Sequence, residues 1–241
     1  MKEVILKIEE NRELCNGVFE LTLTGDVEEN KAGQFVEVAL RGFTLRRPFG
    51  VVRSEKGKLV LLYRVAGVGT KFMATLNIGE TLNVLVELGN GFGMEKAKKP
   101  LLIGGGIGLA PLYKLAEDFK KAGKKPIVLL GFRTKDEVFY HEEFAKLGTV
   151  FLTTDDGSLG YKGNTIDYIL NNKIDYDFYY ACGPTPMLKA LQTLPQKGEL
   201  SLEARMACGF GACMGCSIMT TAGSKRVCKE GPVFAAEEVV F

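Results

Sequence analysis

The chain has 241 residues, 46% of them hydrophobic, and its 31 basic and 29 acidic residues give a net charge of +2. This length and apolar content suffice for one large domain or two ordinary domains with buried cores. Because the charge is nearly balanced and the basic residues are spread out, we do not expect nucleic-acid binding.

No apolar stretch reaches the roughly 18 residues that a membrane span needs. No signal peptide precedes the first strand-like run, which begins almost at Met1. We therefore expect a cytoplasmic protein that does not enter a membrane.

Residues 1–97 alternate apolar and polar side chains over short runs. These runs lie at 4–8, 18–23, 35–40, 59–63 and 81–86, and turn residues such as Gly25-Asp26 and Lys56-Gly57 separate them. Short strands at this spacing predict a small antiparallel β-barrel. Glycines at 67, 69, 89, 91 and 93 exceed what a barrel needs, so we expect some of them to allow close approach of a ligand.

The pattern changes after Lys96, Lys98 and Lys99, which are typical of a solvated linker before Pro100. Beyond them come a buried run at 101–103, a glycine-rich turn at 104–108, helical periodicity at 110–120, and apolar runs at 127–130, 149–153 and 178–181. Strands that alternate with helical segments predict a βαβ domain with a parallel sheet over residues 98–198.

The glycine-rich turn would place bare backbone amides at a helix N-terminus, where partial positive charge favours a pyrophosphate. It matches the dinucleotide fingerprint only loosely, because Leu109 stands where the third glycine would fall and Pro111 begins the helix. The turn by itself therefore leaves two interpretations open, nucleotide contact or merely a tight crossover.

Cys182 directly follows the predicted strand at 178–181, and Gly183 and Pro184 come next. Open α/β sheets bind ligands at the carboxyl ends of their strands, so Cys182 is a candidate active-site residue. The alternative is a small buried apolar residue, which is the commoner fate of a free cysteine. His141, the sole histidine, lies among acidic residues, and we interpret it as a surface residue.

Four cysteines near the C-terminus, Cys208, Cys213, Cys216 and Cys228, have the spacing C-x4-C-x2-C-x11-C. The first three match the ligand loop of a plant-type [2Fe–2S] ferredoxin. Glycines between them let the backbone curl around a cluster and direct amides at its sulfurs. A structural zinc site is the alternative, but zinc ribbons usually present two C-x2-C knuckles and only one is present here. We predict a [2Fe–2S] module over residues 199–241.

Motifs along nearly the whole chain point to one family. They are Arg46-Arg47-Pro48-Phe49, Tyr63-Arg64-Val65, Gly67-Val68-Gly69-Thr70, Leu88-Gly89-Asn90-Gly91-Phe92, the turn 104–111, Cys182-Gly183-Pro184-Thr185-Pro186-Met187 and the cysteine array. Together they resemble the ferredoxin-NADP reductase superfamily. Within it, the runs at 205–209 and 225–234 resemble the electron-transfer subunits of NAD-dependent dihydroorotate dehydrogenase B.

The resemblance implies FAD on the barrel and NAD on the second domain. It places Arg47, Gly69 and Thr70 at the FAD pyrophosphate, and Pro48, Phe49, Gly50, Tyr63, Arg64 and Val65 around the isoalloxazine ring. It places Gly104, Gly105, Gly106, Gly108, Gly183 and Pro184 along NAD, with Cys182 near the nicotinamide ring. The family usually has serine or threonine where this chain has Gly50, which puts the tuning of flavin N5 in doubt.

In that family, electrons pass from dihydroorotate through FMN in a separate catalytic subunit to the cluster, to FAD and to NAD. The resemblance thus implies an FMN-containing dihydroorotate dehydrogenase partner, a heterotetramer with two copies of each subunit, and a role in pyrimidine (UMP) biosynthesis. Exposed residues Phe210, Met214 and Met219 form a predicted docking surface, although they could instead only shield the cluster.

Three alternatives stay open. The chain could serve as the reductase subunit of another complex, such as an oxygenase, a sulfur-reducing hydrogenase or an electron-bifurcating NADH–ferredoxin system. It could also be a zinc-stabilised nucleotide sensor that is not an enzyme. Finally, Arg133 and Lys135 could contact a 2′-phosphate, so the preference for NAD over NADP rests on the resemblance.

Overall fold

A computed structural model describes all 241 residues and shows a barrel, a parallel sheet and a small C-terminal hairpin. The barrel strands are β1 (Lys2–Cys15), β2 (Val18–Thr24), β3 (Phe35–Ala39), β4 (Arg47–Glu55), β5 (Lys58–Arg64) and β6 (Thr81–Leu88). They pair antiparallel and close in the order β1-β2-β5-β4-β3-β6. Fully buried aliphatic side chains such as Leu6 and Leu21 fill the interior. The predicted antiparallel barrel is confirmed.

Strand β4 and the short helix α1 (Val68–Met73) did not appear as periodic runs in the sequence. The first four residues of β4 are half-buried on both faces because they border a cleft, so the alternation of buried and exposed side chains is lost there. Helix α1 is short and opens with glycine, which hides it from pattern analysis.

The second half of the chain adds nine strands and four helices. The strands are β7 (Pro100–Gly105), β8 (Ile127–Phe132), β9 (Thr149–Thr154), β10 (Tyr161–Lys162), β11 (Phe178–Cys182), β12 (Gly198–Ser201), β13 (Ser217–Thr220), β14 (Gly223–Arg226) and β15 (Val233–Ala235). The helices are α2 (Ala110–Lys121), α3 (His141–Ala145), α4 (Thr165–Asn171) and α5 (Thr185–Leu191).

Seven of these strands form one sheet in the order β10-β9-β8-β7-β11-β12-β15. All its pairings are parallel except that of β15 with β12. The predicted parallel sheet is confirmed, including the four strands and the helix read from the apolar pattern. Strand β15 ties the C-terminal tail to the sheet, and the predicted limit at residue 198 coincides with the first residue of β12.

The lysines of the predicted linker, Lys96, Lys98 and Lys99, are exposed as expected, but hydrogen bonds hold the segment in place. Lys96 Nζ lies 2.5 Å from Glu199 Oε1, and the Asp177 carboxylate accepts hydrogen bonds from the backbone nitrogens of Lys98 and Lys99 over 3.0 and 2.9 Å. Ala97 between them is fully buried. The segment is therefore fixed to the second domain by hydrogen bonds that its sequence does not reveal.

Polar contacts hold the barrel against α2 and α3. Lys114 on α2 is almost fully buried, and its Nζ lies 2.8 Å from Glu29 Oε1 and 2.5 Å from Asp118 Oδ1. Tyr140 donates a hydrogen bond to the carboxylate of Glu20 on β2. Because these pairs join the two domains, they fix the width of the cleft between them. None of the helices is long and apolar enough to cross a membrane.

Replacing Lys114 with methionine is expected to lower the melting temperature by several degrees, equivalent to about 1–3 kcal/mol, because it leaves Asp118 and Glu29 without their buried partner. Lys121→Met is the matched control, since Lys121 also faces Glu29 but at 3.4 Å and largely exposed. Thermal unfolding followed by circular dichroism measures both variants. Equal melting temperatures for the two variants would contradict this role of Lys114.

Candidate redox site

A cleft of about 350 Å³ opens between the barrel and the carboxyl ends of β7 and β11. Its lining includes Pro48, Phe49 and Gly50 from β4, with Pro111 and Cys182 opposite. These walls are mostly apolar and have few polar groups, which suits a planar aromatic ring. An added Cβ at Gly50 would lie 3.5 Å from Pro111 Cδ, so glycine is not required there by packing.

Tyr63 on β5 lines the barrel side of this cleft and is held in place by its neighbours. Its hydroxyl donates to Asn11 Oδ1 over 2.9 Å, and its ring stacks on Phe19 and meets Phe49 edge-on. Burial raises the pKa of Tyr63 to about 12, so the ring stays neutral. Arg64 also lines the cleft, whereas Val65 does not, because it packs against the barrel core.

Arg47 extends away from the ring cleft toward the first turn of α1. Its Nη1 donates to the Leu45 carbonyl over 2.6 Å, and its guanidinium lies over the Phe43 ring. A Cβ at Gly69 would lie 2.8 Å from Arg47 Nε, so glycine is required for the arginine to rest on the helix. A guanidinium beside the first turn of a helix offers donors of the kind that phosphate oxygens accept.

Thr70 is placed differently from the expectation for a phosphate ligand. Its hydroxyl accepts hydrogen bonds from the Ala66 and Gly67 nitrogens over 2.9 and 3.1 Å, and it donates to the Gly67 carbonyl. A hydroxyl has a single donor hydrogen, and that of Thr70 is therefore used within the turn. In this arrangement Thr70 stabilises the turn at the start of α1, next to which the Arg47 side chain lies.

A second cleft of about 320 Å³ adjoins the first across the glycine-rich turn. Gly105, Gly106, Gly108, Gly183 and Pro184 line it. A Cβ at Gly108 would lie 2.5 Å from the carbonyl oxygen of Cys182, so only glycine lets the turn meet the end of β11. Gly106 has φ +52° and open space in front of it, as close approach of a ligand requires.

Gly104 is not part of either cleft. It lies inside β7, where an added Cβ would meet Leu109 at 3.1 Å and Leu130 at 3.3 Å. The structure thus brings three of the four predicted glycines of this turn to the nucleotide cleft and gives Gly104 a packing role.

The lining of the second cleft includes two buried threonines and one aspartate. The hydroxyls of Thr153 and Thr165 have no hydrogen-bond partner within the chain. Asp155 directly follows β9 and adds a carboxylate acceptor. A buried hydroxyl without a partner costs free energy, so these groups are candidates for polar contacts with a ligand.

Two arginines in the second cleft share one acidic partner. Arg64 Nη2 lies 3.7 Å and Arg133 Nε 3.5 Å from the Glu137 carboxylate. Lys135 does not line the cleft. The positive charge available for a 2′-phosphate is therefore partly neutralised by Glu137.

Cys182 lines the first cleft and is 3% exposed, with Ser201 beside it; the next residue, Gly183, lines the second cleft. Burial raises the pKa of its thiol to about 12, so it is a neutral thiol. Cys182 is thus a small buried side chain that also lines the cleft. The two interpretations of the sequence, a buried apolar residue and a candidate active-site residue, therefore do not exclude each other.

Glu203 is a site residue that sequence analysis missed. It lines both clefts just after β12, and although part of its side chain is open to solvent, burial by the surrounding protein raises the pKa of its carboxyl. The sequence carried no signal for it, since β12 is short and its placement beside β11 is a tertiary feature.

The four tail cysteines come together in two pairs. The side chains of Cys208 and Cys213 lie within hydrogen-bonding reach of each other, as do those of Cys216 and Cys228. A [2Fe–2S] cluster takes two thiolates on each iron, whereas a structural zinc ion takes all four around itself. The pairing fits the binuclear cluster.

Backbone amides point at these sulfurs. The nitrogens of Cys213, Gly215 and Cys228 lie 3.4, 3.5 and 3.4 Å from the sulfurs of Cys208, Cys213 and Cys216. Burial alone would raise the pKa of Cys208, but the amides of Cys213 and nearby loop residues lower it to about 6. Burial raises the pKa of Cys228 to about 12, so a metal there must displace a proton.

The cysteine tail packs on the outer face of β3 and β6. Phe35 and Leu88 share one apolar core with Cys216 and Cys228, and Phe35 also lines the first cleft. Phe35 therefore lines the ring cleft and belongs to the same apolar core as two of the tail cysteines.

Glu37 lies on the same face of β3, fully buried and without a hydrogen-bond partner. A Cβ at Gly209 would lie 2.3 Å from its Cδ, so the cysteine loop reaches this carboxyl through a glycine. Burial, followed by the Cys208 sulfur, raises the pKa of Glu37 to about 7.

Comparisons with known proteins agree with both parts of the site. Residues 203–240 match the family model of the iron–sulfur cluster binding domain of dihydroorotate dehydrogenase B, and residues 102–193 match the oxidoreductase NAD-binding domain. Two curated relatives are named dihydroorotate dehydrogenase B (NAD(+)), electron transfer subunit. The one from Geobacillus sp. is 43% identical over the full length of both chains, and the one from Fusobacterium nucleatum is 42% identical over 96% of each.

A solved structure of an NADH-dependent reduced ferredoxin-NADP oxidoreductase, described in the context of flavin-based electron bifurcation, has the same fold. Its TM-score is 0.88 at 29% sequence identity, covering 98% of this chain and 90% of that one. The fold similarity thus includes the barrel, the sheet and the tail.

Iodoacetamide at about pH 8 is expected to modify Cys208 well before Cys182 in the anaerobic, metal-free protein. The thiolate is the nucleophile, and with pKa values of about 6 and about 12 Cys208 is mostly ionised whereas Cys182 is a thiol. Peptide mass spectrometry at early reaction times measures the order. Alkylation of Cys182 as fast as that of Cys208 would show that its environment is not the buried one described.

Proposed function

The chain belongs to the family of electron-transfer subunits of NAD-dependent dihydroorotate dehydrogenase B. From this premise we propose which residues bind each cofactor and which path the electrons take. The subunit passes electrons from the FMN-containing catalytic subunit through a [2Fe–2S] cluster and FAD to NAD+, in pyrimidine biosynthesis. The observation that carries the proposal is the position of Phe35, which lines the ring cleft and belongs to the apolar core that buries Cys216 and Cys228.

A bound flavin supplies the conversion between the single electrons of an iron–sulfur cluster and the electron pair that nicotinamide takes as hydride. In our proposal Arg47 binds the FAD pyrophosphate, while Pro48, Phe49 and Tyr63 shape the ring site and exclude water. Gly50 offers no hydroxyl near the ring, so hydrogen bonding there falls to the backbone.

The protein residues on the nucleotide side orient NAD over the ring site. Gly106 and Gly108 allow the dinucleotide to approach the backbone, and the neutral Cys182 thiol borders the nicotinamide end of the cleft. Glu203 also lines the cleft, and burial by the surrounding protein raises the pKa of its carboxyl. Orientation and shielding from water are the main contributions, because hydride transfer needs no protein base at carbon.

The proposed cluster ligands are Cys208 with Cys213, and Cys216 with Cys228. Next to them an apolar rim is open to solvent, since Phe210, Met214 and Met219 are 43%, 54% and 58% exposed. We propose that the catalytic subunit covers this rim in a heterotetramer with two copies of each chain. Thiolate ligands are kept reduced in the cytoplasm, where we place the complex.

A second candidate function is a subunit of an electron-bifurcating NADH–ferredoxin system, favoured by the TM-score of 0.88 to such a structure. The two functions share cofactors and differ in the partner that supplies electrons. Dependence on dihydroorotate separates them.

Co-expression with a dihydroorotate dehydrogenase catalytic subunit is expected to give dihydroorotate-dependent reduction of NAD+. Cys216→Ala should lower this activity at least about 100-fold by removing a cluster ligand, while NADH–ferricyanide activity at the flavin is retained. Cys15→Ala, far from the array, is the matched control and should behave as the unmodified complex does. Full dihydroorotate-dependent activity in Cys216→Ala would refute the electron path.

Asp155→Asn is expected to raise the efficiency with NADPH relative to NADH about tenfold, because a carboxylate in the lining of the second cleft repels a 2′-phosphate. Asp156→Asn is the control, since the Asp156 carboxylate is held by the backbone nitrogen and hydroxyl of Ser158. Steady-state kcat/KM with each nucleotide gives the ratio. An unchanged ratio for Asp155→Asn would remove this residue from nucleotide selection.

A further inference from the structure

The turn that carries the fourth cysteine is closed by one ion pair. Arg226 ends β14, and Cys228 follows two residues later. The Arg226 backbone nitrogen and Nε donate to Glu230 Oε2 over 2.7 and 3.0 Å, and its Nη2 contacts Glu230 Oε1. The Arg226 carbonyl also accepts from the Glu230 nitrogen over 2.9 Å. The two residues thus enclose Cys228 from both ends of the turn.

The same guanidinium reaches the loop that carries the first two cysteines. Arg226 Nη1 donates to the Gly211 carbonyl over 2.6 Å, and Gly211 lies between Cys208 and Cys213. Gly211 has φ +93°, and a Cβ there would lie 3.3 Å from Arg226 Nη1. The positive φ and the close approach of Lys229 Cβ, 2.9 Å from an added Cβ, favour glycine at this position, and the Arg226 side chain ties both halves of the cysteine array together.

Arg226 also brings a permanent charge to the array, because a guanidinium does not lose its proton in proteins. Its hydrogen bonds to Glu230 raise its pKa first, and the nearby sulfurs of Cys228 and Cys216 raise it further. The side chains of Arg226 and Glu230 are 27% and 32% exposed, so solvent screens their charges only in part. The cation of Arg226 is close enough to sense the sulfurs of Cys228 and Cys216, and the Glu230 carboxylate is paired with it two residues beyond Cys228.

We propose that Arg226 and Glu230 position the cysteine array and set the reduction potential of its cluster, the arginine raising it and the glutamate lowering it. Reduction adds negative charge to the cluster, which a neighbouring cation favours and a neighbouring carboxylate opposes. In the intact pair the two effects largely cancel. This inference rests on the proposed function, since it takes the array as a [2Fe–2S] site.

The test uses Arg226→Gln, Glu230→Gln and the double variant in the co-expressed complex, with redox titration followed by electron paramagnetic resonance at one pH near neutrality. Arg226→Gln should shift the cluster potential downward and Glu230→Gln upward, with the double variant between them and close to the unmodified protein. A residue that merely supports the fold would not produce shifts of opposite sign.

The neighbouring pair Lys225–Glu238, whose Nζ and Oε2 are 2.7 Å apart, supplies the control. Consecutive strand residues point to opposite faces, so Lys225→Gln and Glu238→Gln should shift the potential less than the matching changes at Arg226 and Glu230. If Arg226→Gln retains too little iron, Arg226→Lys is the alternative variant. It keeps the positive charge but not the several hydrogen bonds of the guanidinium, so its cluster should have a potential near that of the unmodified protein and should be lost faster.

Shifts of the same sign in Arg226→Gln and Glu230→Gln, or unshifted potentials in variants with full iron content, would overturn the inference. Zinc in place of iron in the unmodified protein, with no paramagnetic signal after reduction, would instead overturn the proposed function. The two failures are therefore distinguishable in the same samples.

Discussion

The apolar core that Phe35 and Leu88 share with the cysteine tail is the constraint on which the rest of the structure depends. The tail contains too little chain to bury a core of its own, so it packs Cys216 and Cys228 against the outer face of β3 and β6. That face also borders the ring cleft. This shared core therefore places the one-electron site next to the flavin site, and β15 secures the arrangement from the other side.

The cleft itself depends on a second constraint, the fixed contact between the barrel and α2. Lys114 is buried with two acidic partners, and its location between domains keeps the two walls of the cleft at one spacing. Gly108 then allows the backbone turn to meet the end of β11 with no side chain between them. Together they create a narrow space in which a nicotinamide and a flavin ring can stack.

Sequence analysis predicted the buried elements well and the tertiary contacts poorly. The strands at 101–103 and 178–181 are buried on both faces, so their apolar runs were visible in the sequence. The cysteine spacing predicted which residues bind the cluster, and the pairing of their sulfurs supports that prediction. Phe35 lay in a predicted strand and Arg226 in a run that resembles the family, but their roles and that of Glu203 arise only where separate segments meet. The ion pair of Lys96 was invisible for the same reason, since its acidic partner lies about a hundred residues further along.

The most direct test is an anomalous difference map from crystals of the anaerobically purified subunit, collected at the iron absorption edge. Our account predicts two iron peaks beside Phe35, one next to Cys208 and Cys213 and the other next to Cys216 and Cys228. A single peak equidistant from all four sulfurs, or a peak only at the zinc edge, would contradict it.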